Sequence, residues 1–137
     1  MRVLVDTCVW SRFLRKGGSK DDPTALELEN LIRADAVQML GPIRQELLSG
    51  IREQSQFEQV REHLRRFPDL QITTDDYEEA ASFCNRCRSK GIQGSATDFL
   101  ICAVATQKDL VIFTDDRDFV SYSKVLPIRL YRLDKTH

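Results

Sequence analysis

Thr114-Asp-Asp-Arg-Asp118 sets three carboxylates within five residues, directly after the apolar run Leu110–Phe113. A turn uses one aspartate or two, and like charges this close repel unless something positive sits among them. Asp6 ends a second apolar run, Val3–Val5, where an aspartate can cap the following helix, alone or with Thr7. Glu46 lies in Gly41-Pro-Ile-Arg-Gln-Glu-Leu-Leu-Ser-Gly50, at the edge of the stripe Ile43, Leu47, Ile51, where a glutamate ordinarily reaches for water. Asp98 enters the first turn of a helix that is apolar all round from Phe99, and Ser95-x-x-Asp98 has the spacing of a capping box. Each acid therefore has an ordinary structural role open to it. Together they stand at the ends of two strands and near the starts of two helices, points that share one rim of a parallel α/β fold. That rim is where such sheets bind ligands. Hard oxygen donors without a useful histidine or cysteine suit Mg²⁺ or Mn²⁺, and two such ions about 3.5–4 Å apart would flank an in-line displacement at phosphorus. The chemistry indicated is phosphodiester hydrolysis.

The elements that must position these acids follow from periodicity. Short apolar runs predict five strands, Val3–Val5, Val37–Leu40, Leu70–Ile72, Leu110–Phe113 and Ile128–Tyr131. Stretches of helical period between them predict helices at Val9–Arg15, Thr24–Arg33, Ile43–Ile51, Phe57–Arg66, Asp76–Lys90 and Ala96–Lys108. Pro23 and Pro42 suit first helical turns, Gly91 suits the end of the fifth helix, and Lys16-Gly-Gly-Ser-Lys-Asp-Asp22 reads as a loop. Alternating strands and helices predict an α/β domain with a mainly parallel sheet.

Length and composition bound the answer. One domain, 1–137, accounts for the chain, and 42% hydrophobic with 30% charged residues is a globular profile with no apolar run long enough to cross a bilayer. A single arginine before the first apolar run, with no small-residue cleavage site, points to a cytoplasmic protein. Cys8, Cys84, Cys87 and Cys102 read as reduced thiols. The Cys84-x-x-Cys87 pair falls on an apolar stripe with Ala80 and Phe83, and His63 and His137 are too few for a zinc site. Net charge is −1, so any basic surface is local: Arg12, Arg15, Lys16 and Lys20; Arg61, Arg65 and Arg66; Arg86, Arg88 and Lys90.

On Val5-Asp-Thr7, Gln45-Glu-Leu-Leu-Ser-Gly50, Ala96-Thr-Asp-Phe-Leu-Ile101 and Thr114-Asp-Asp-Arg-Asp-Phe119, in this order and spacing, the chain resembles PIN-domain ribonucleases, specifically the small VapC-type toxins of prokaryotic toxin–antitoxin pairs. The resemblance covers nearly the whole chain. It implies a three-layer α/β/α sandwich around a five-stranded parallel sheet, with one or two Mg²⁺ or Mn²⁺ ions held by Asp6, Glu46, Asp98 and a fourth acid. Motif position points to Asp116 for the fourth, with Asp115 and Asp118 as alternatives. Thr7 and Thr114 would orient carboxylates or water. The resemblance further implies a small antitoxin partner that covers the rim, and a homodimer. Cys8 stands where the family often has a small polar residue and Cys102 where alanine is common, and both read as packing.

The expected activity is a metal-dependent endoribonuclease acting on single-stranded or looped RNA, whose splayed bases a shallow rim can track. Arg12, Arg15, Arg44 and Arg117, each close in sequence to an acid, are candidate phosphate contacts. An aspartyl phosphatase would want a second acid where Cys8 stands. A non-catalytic PIN-like interaction module binding one structural ion, and an RNA-processing nuclease that is not a toxin, are the alternatives.

Overall fold

The computed structural model describes residues 1–15 and 21–133. Lys16, Lys20, the 16–20 part of the expected loop, and His137 lie outside the described residues. The centre of the fold is a parallel sheet of three strands, β1 (Val3–Val5), β2 (Val37–Gln38) and β3 (Val111–Phe113), in the order β2-β1-β3. Every residue of β1 and β3 is buried, which is why both read as unbroken apolar runs rather than as alternation. The register pairs Val3 with Val37 on one side and Val5 with Phe113 on the other. That register sets Asp6 beside Thr114, and the Asp6 N–H donates to the Phe113 carbonyl at 2.9 Å.

Five strands were expected and the sheet has three. The two edge segments are present only as single parallel bridges, Met39 with Asp69 and Ile112 with Leu130. Pro68 and Pro127 stand at their entrances and donate no N–H. The first segment has only three residues, Leu70–Ile72, between its bridge and Thr73, which already caps the next helix. One residue of pairing does not propagate a ladder in so short a run.

Seven helices flank the sheet among the described residues: α1 (Thr7–Leu14), α2 (Pro23–Arg33), α3 (Gly41–Ser49), α4 (Gln54–Leu64), α5 (Thr74–Ser89), α6 (Ala96–Gln107) and α7 (Asp118–Ser123). Six match the expected helices within a few residues, with prolines in the first turns of α2 and α3. The seventh is an addition. Its apolar positions, Phe119 and Tyr122, are three apart and both fully buried, with Leu126 one turn further on. Six residues are too few for a periodic signal to stand out from a loop.

One contiguous core joins the strands to α6, whose residues Phe99–Ala105 are all buried. Fully buried Trp10 packs edge-on against Phe67 at 5.1 Å and Phe13 at 6.2 Å, fixing α1 over the α4 end. Cys87 is fully buried and Cys84 half-buried on α5, as their stripe predicted, and all four cysteines are free.

The turn after α5 matters for the site. Gly91, at φ +77°, follows the Lys90 cap; its N–H donates to Arg88 and the Ile92 N–H to Cys87, a Schellman ending that satisfies two terminal carbonyls. It directs the chain through Gly94 to Ser95, the cap of α6.

Candidate metal centre and active site

Because all three strands are parallel, the loops that leave β1 and β3 open on one rim. Asp6, 8% exposed, caps α1: one oxygen accepts the Thr7 N–H at 2.8 Å. The other oxygen accepts the Thr114 hydroxyl at 2.8 Å and the Cys8 thiol at 3.7 Å. Burial pushes the Asp6 carboxyl above its ordinary value. The hydrogen bonds from Thr114 and Thr7 oppose the rise, and the nearby Asp98 charge adds to it.

Thr114 joins this acid to the next turn. Its hydroxyl oxygen also accepts the Asp116 N–H at 3.0 Å, so one threonine fixes both Asp6 and the backbone that presents Asp116. The Asp118 N–H in turn donates to the Asp116 carboxylate at 2.9 Å.

Asp98 departs from its expected structural role. The Ser95 hydroxyl accepts the Asp98 N–H at 3.1 Å, half of a capping box, but among the described contacts no bond returns from the Asp98 carboxylate to Ser95. In α5 the same spacing closes fully, with Thr73 and Asp76 bonded both ways and Asp76 buried. The Asp98 carboxylate instead accepts the hydroxyl of fully buried Tyr122 at 2.6 Å. Burial, then the adjoining Asp98 carboxylate, hold the Tyr122 phenol well above its ordinary value, so it remains a hydrogen-bond donor.

Asp98, Asp116 and Asp118 each offer an oxygen within 4.8 Å of the others. None of the three takes part in an ion pair among the described residues. Three carboxylates at this separation repel one another unless a cation lies between them, and an all-oxygen set is the donor chemistry of Mg²⁺ or Mn²⁺. The residues present fit such an ion.

The third acid of the turn faces elsewhere. Asp115 pairs with Arg12 at 3.0 Å, and the same guanidinium reaches Asp22 at 3.4 Å and the Thr24 hydroxyl at 3.2 Å. Arg12 thus ties the β3 turn to the start of α2. Arg44 is also committed to the fold: it pairs with Asp69 at 3.0 Å and donates to the Leu64 and Phe67 carbonyls at the end of α4. Arg15 and Arg117 are exposed and make no ion pair among the described residues. Glu46 is exposed on α3 and lies outside the Asp98, Asp116, Asp118 group.

Cys8 sits among Asp6, Thr114 and the Asp115 N–H, at 3.7, 3.4 and 3.5 Å. Burial chiefly pushes its thiol up to about 12, leaving an unreactive packing group as expected from the sequence. Tyr122 and Gly94 were not singled out in the sequence. The 119, 122, 126 spacing is the signal that could have pointed to Tyr122, whereas the approach of Gly94 to it exists only in three dimensions.

Fold and site define a parallel α/β protein that gathers carboxylates at the carboxyl ends of β1 and β3. The PIN domain profile matches residues 3–125, and the chain belongs to the PIN domain family. No curated protein matches the chain in sequence. Among solved structures, FitAcB from Neisseria gonorrhoeae is similar at TM-score 0.76 and 21% identity, covering 95% of this chain and 96% of that one. VapBC2 from Rickettsia felis, bound to a DNA fragment from its promoter, is similar at TM-score 0.78 and 16% identity, covering 98% and 100%. VapBC-5 from Mycobacterium tuberculosis, of the VapBC family of toxin–antitoxin systems, reaches TM-score 0.69 at 19% identity, covering 96% and 99%.

Proposed function

We propose that the chain is a metal-dependent endoribonuclease and the toxin of a toxin–antitoxin pair. The observation that carries the catalytic half is the open capping box of α6, which leaves the Asp98 carboxylate beside those of Asp116 and Asp118. A structural aspartate at that position would spend its side chain on Ser95, as Asp76 does on Thr73.

Asp98, Asp116 and Asp118, together with Asp6, whose carboxyl feels the Asp98 charge, would hold Mg²⁺ or Mn²⁺. Bound there, such an ion supplies Lewis acidity and charge neutralisation to a phosphoryl group. Thr114 fixes Asp6 and the backbone of the Asp116 turn. Glu46 is retained as a member of the acidic quartet by its motif alone. Arg15 and Arg117, exposed and unpaired among the described residues, are the better candidates for RNA phosphate than Arg12 and Arg44, whose guanidinium groups already have partners.

The toxin half rests on the likeness to the VapBC and FitAcB structures and on surface chemistry. An apolar groove of about 360 Å³ runs between α5 and α6, past Tyr77, which is 57% exposed, to Thr97 beside Asp98. Such a groove would suit an apolar side chain of an antitoxin segment seated between α5 and α6. No helix among the described residues is long and apolar enough to cross a membrane, and a cytoplasmic setting suits an RNA substrate.

Substrate class is tested with matched oligonucleotides and Mn²⁺: single-stranded RNA, the same RNA in a duplex, and single-stranded DNA. Single-stranded RNA is expected to be cut at least about tenfold faster than the duplex, because base splaying is needed to reach a shallow rim. Equal cutting of DNA would overturn the RNA assignment, and preference for the duplex would overturn the single-strand assignment.

A further inference from the structure

Two helices of this chain begin with the same capping arrangement and treat it differently. Thr73 and Asp76 close the box on α5, whereas Ser95 and Asp98 leave it half open on α6. Spacing is identical, and serine caps as well as threonine. The neighbour that distinguishes them is Tyr122, whose hydroxyl takes an Asp98 oxygen at 2.6 Å.

Tyr122 is itself held on several sides. Phe119 and Phe99 pack against its ring, each with centroids 5.1 Å away, and the ring is fully buried. At Gly94 a side chain is excluded: a β-carbon there would lie 2.2 Å from the Tyr122 oxygen and 3.0 Å from the Phe99 ring. Gly94 has no left-handed backbone to explain its glycine, so close approach to the tyrosine is the physical reason for it. An ordinary buried tyrosine needs only some acceptor for its hydroxyl. This one takes a carboxylate of the candidate metal centre and has a glycine cleared to admit it.

We infer that Tyr122 is a positioning residue for the metal centre, holding the Asp98 carboxylate out of the capping box so that its second oxygen is presented to a divalent cation. The inference rests on the metal-site reading above. Without the hydroxyl, Asp98 is free to swing back onto the Ser95 N–H, the arrangement α5 already adopts, and a cation must then break that bond to recruit it.

The test is Mn²⁺ affinity, read by titration calorimetry on the intact, folded chain with wild type, Tyr122→Phe, Gly94→Ala and Asp98→Asn. Tyr122→Phe keeps the ring and removes one oxygen, and is expected to weaken Mn²⁺ binding about tenfold, the scale for losing a hydrogen bond to a metal ligand. Gly94→Ala, which pushes on the same hydroxyl from outside, should weaken it in the same direction. If Gly94→Ala does not fold, Tyr122→Phe decides alone. A purely structural tyrosine would lower the melting temperature and leave the affinity of the folded protein unchanged.

Wild-type affinity in Tyr122→Phe, with binding lost in Asp98→Asn, would overturn this inference and leave the metal-site reading standing. No Mn²⁺ binding by wild type, or full binding by Asp98→Asn, would overturn both.

Discussion

Asp116→Asn is expected to abolish cleavage while Asp115→Asn keeps it within a few-fold of wild type. The two residues are adjacent in sequence, carry the same charge and follow the same strand. Their surroundings separate them: Asp116 shares a 4.8 Å cluster with Asp98 and Asp118, whereas Asp115 is paired with Arg12. Weakening a metal site that stabilises the transition state by several kcal/mol costs about 10³-fold in rate, at 1.36 kcal/mol per decade. Removing Asp115 loses a half-exposed ion pair, about 0–1 kcal/mol of stability. Initial rates on a fluorescent single-stranded RNA, with circular dichroism to verify folding, check both variants. An active Asp116→Asn protein, or an inactive but folded Asp115→Asn protein, would reverse the assignment.

Asp6→Asn should lose activity on the same scale and, in the metal-free protein, gain stability. The substituted amide can still accept the Thr7 N–H through its carbonyl oxygen, and the Thr114 hydroxyl can turn to suit its new partner, so the cap survives. What disappears is a buried charge. Burial raises the Asp6 carboxyl in the folded protein. Ionised Asp6 therefore opposes folding, in full above its folded-state pKa, and the cost fades as pH falls through that value toward the unfolded one. In EDTA at pH 7 the asparagine variant should melt a few degrees higher than wild type, and the gap should close on acidification. Added Mn²⁺ should raise the melting temperature of wild type more than that of the variant. This is the usual exchange of stability for function at a charged site. A variant that melts lower at pH 7 would show that the cap outweighs the buried charge, and one that keeps wild-type cleavage would show that Asp6 serves as a cap only.

Much of this was legible in the sequence. Val3–Val5 and Val111–Phe113 are buried on both faces, and full burial leaves an unbroken apolar run that needs no tertiary knowledge to read. Helix α6 announced itself the same way, and Asp98 stood out as the one acid in its first turn. The edges of the sheet were not legible. Leu70–Ile72 and Ile128–Tyr131 have strand composition, but pairing depends on what lies beside them and on prolines that cost them donors, and each edge contributes one bridge. Arg44 looked available because it is near Glu46 in sequence, yet Asp69 and two carbonyls from the end of α4 hold it. The ambiguity among Asp115, Asp116 and Asp118 came from the same source, since a run of acids does not say which one meets Arg12. Tyr122 reaches Asp98 from a different helix, and Gly94 meets Tyr122 across a loop, so spacing carries no trace of either contact.

The most direct measurement is cleavage of a mixed RNA pool by the purified, partner-free protein in Mn²⁺, beside an EDTA control and Asp98→Asn. Cutting in Mn²⁺ that disappears in EDTA and in a folded Asp98→Asn variant is the predicted result. Equal cutting in all three, or none by folded wild-type protein with Mn²⁺ bound, would contradict a nuclease centred on Asp98.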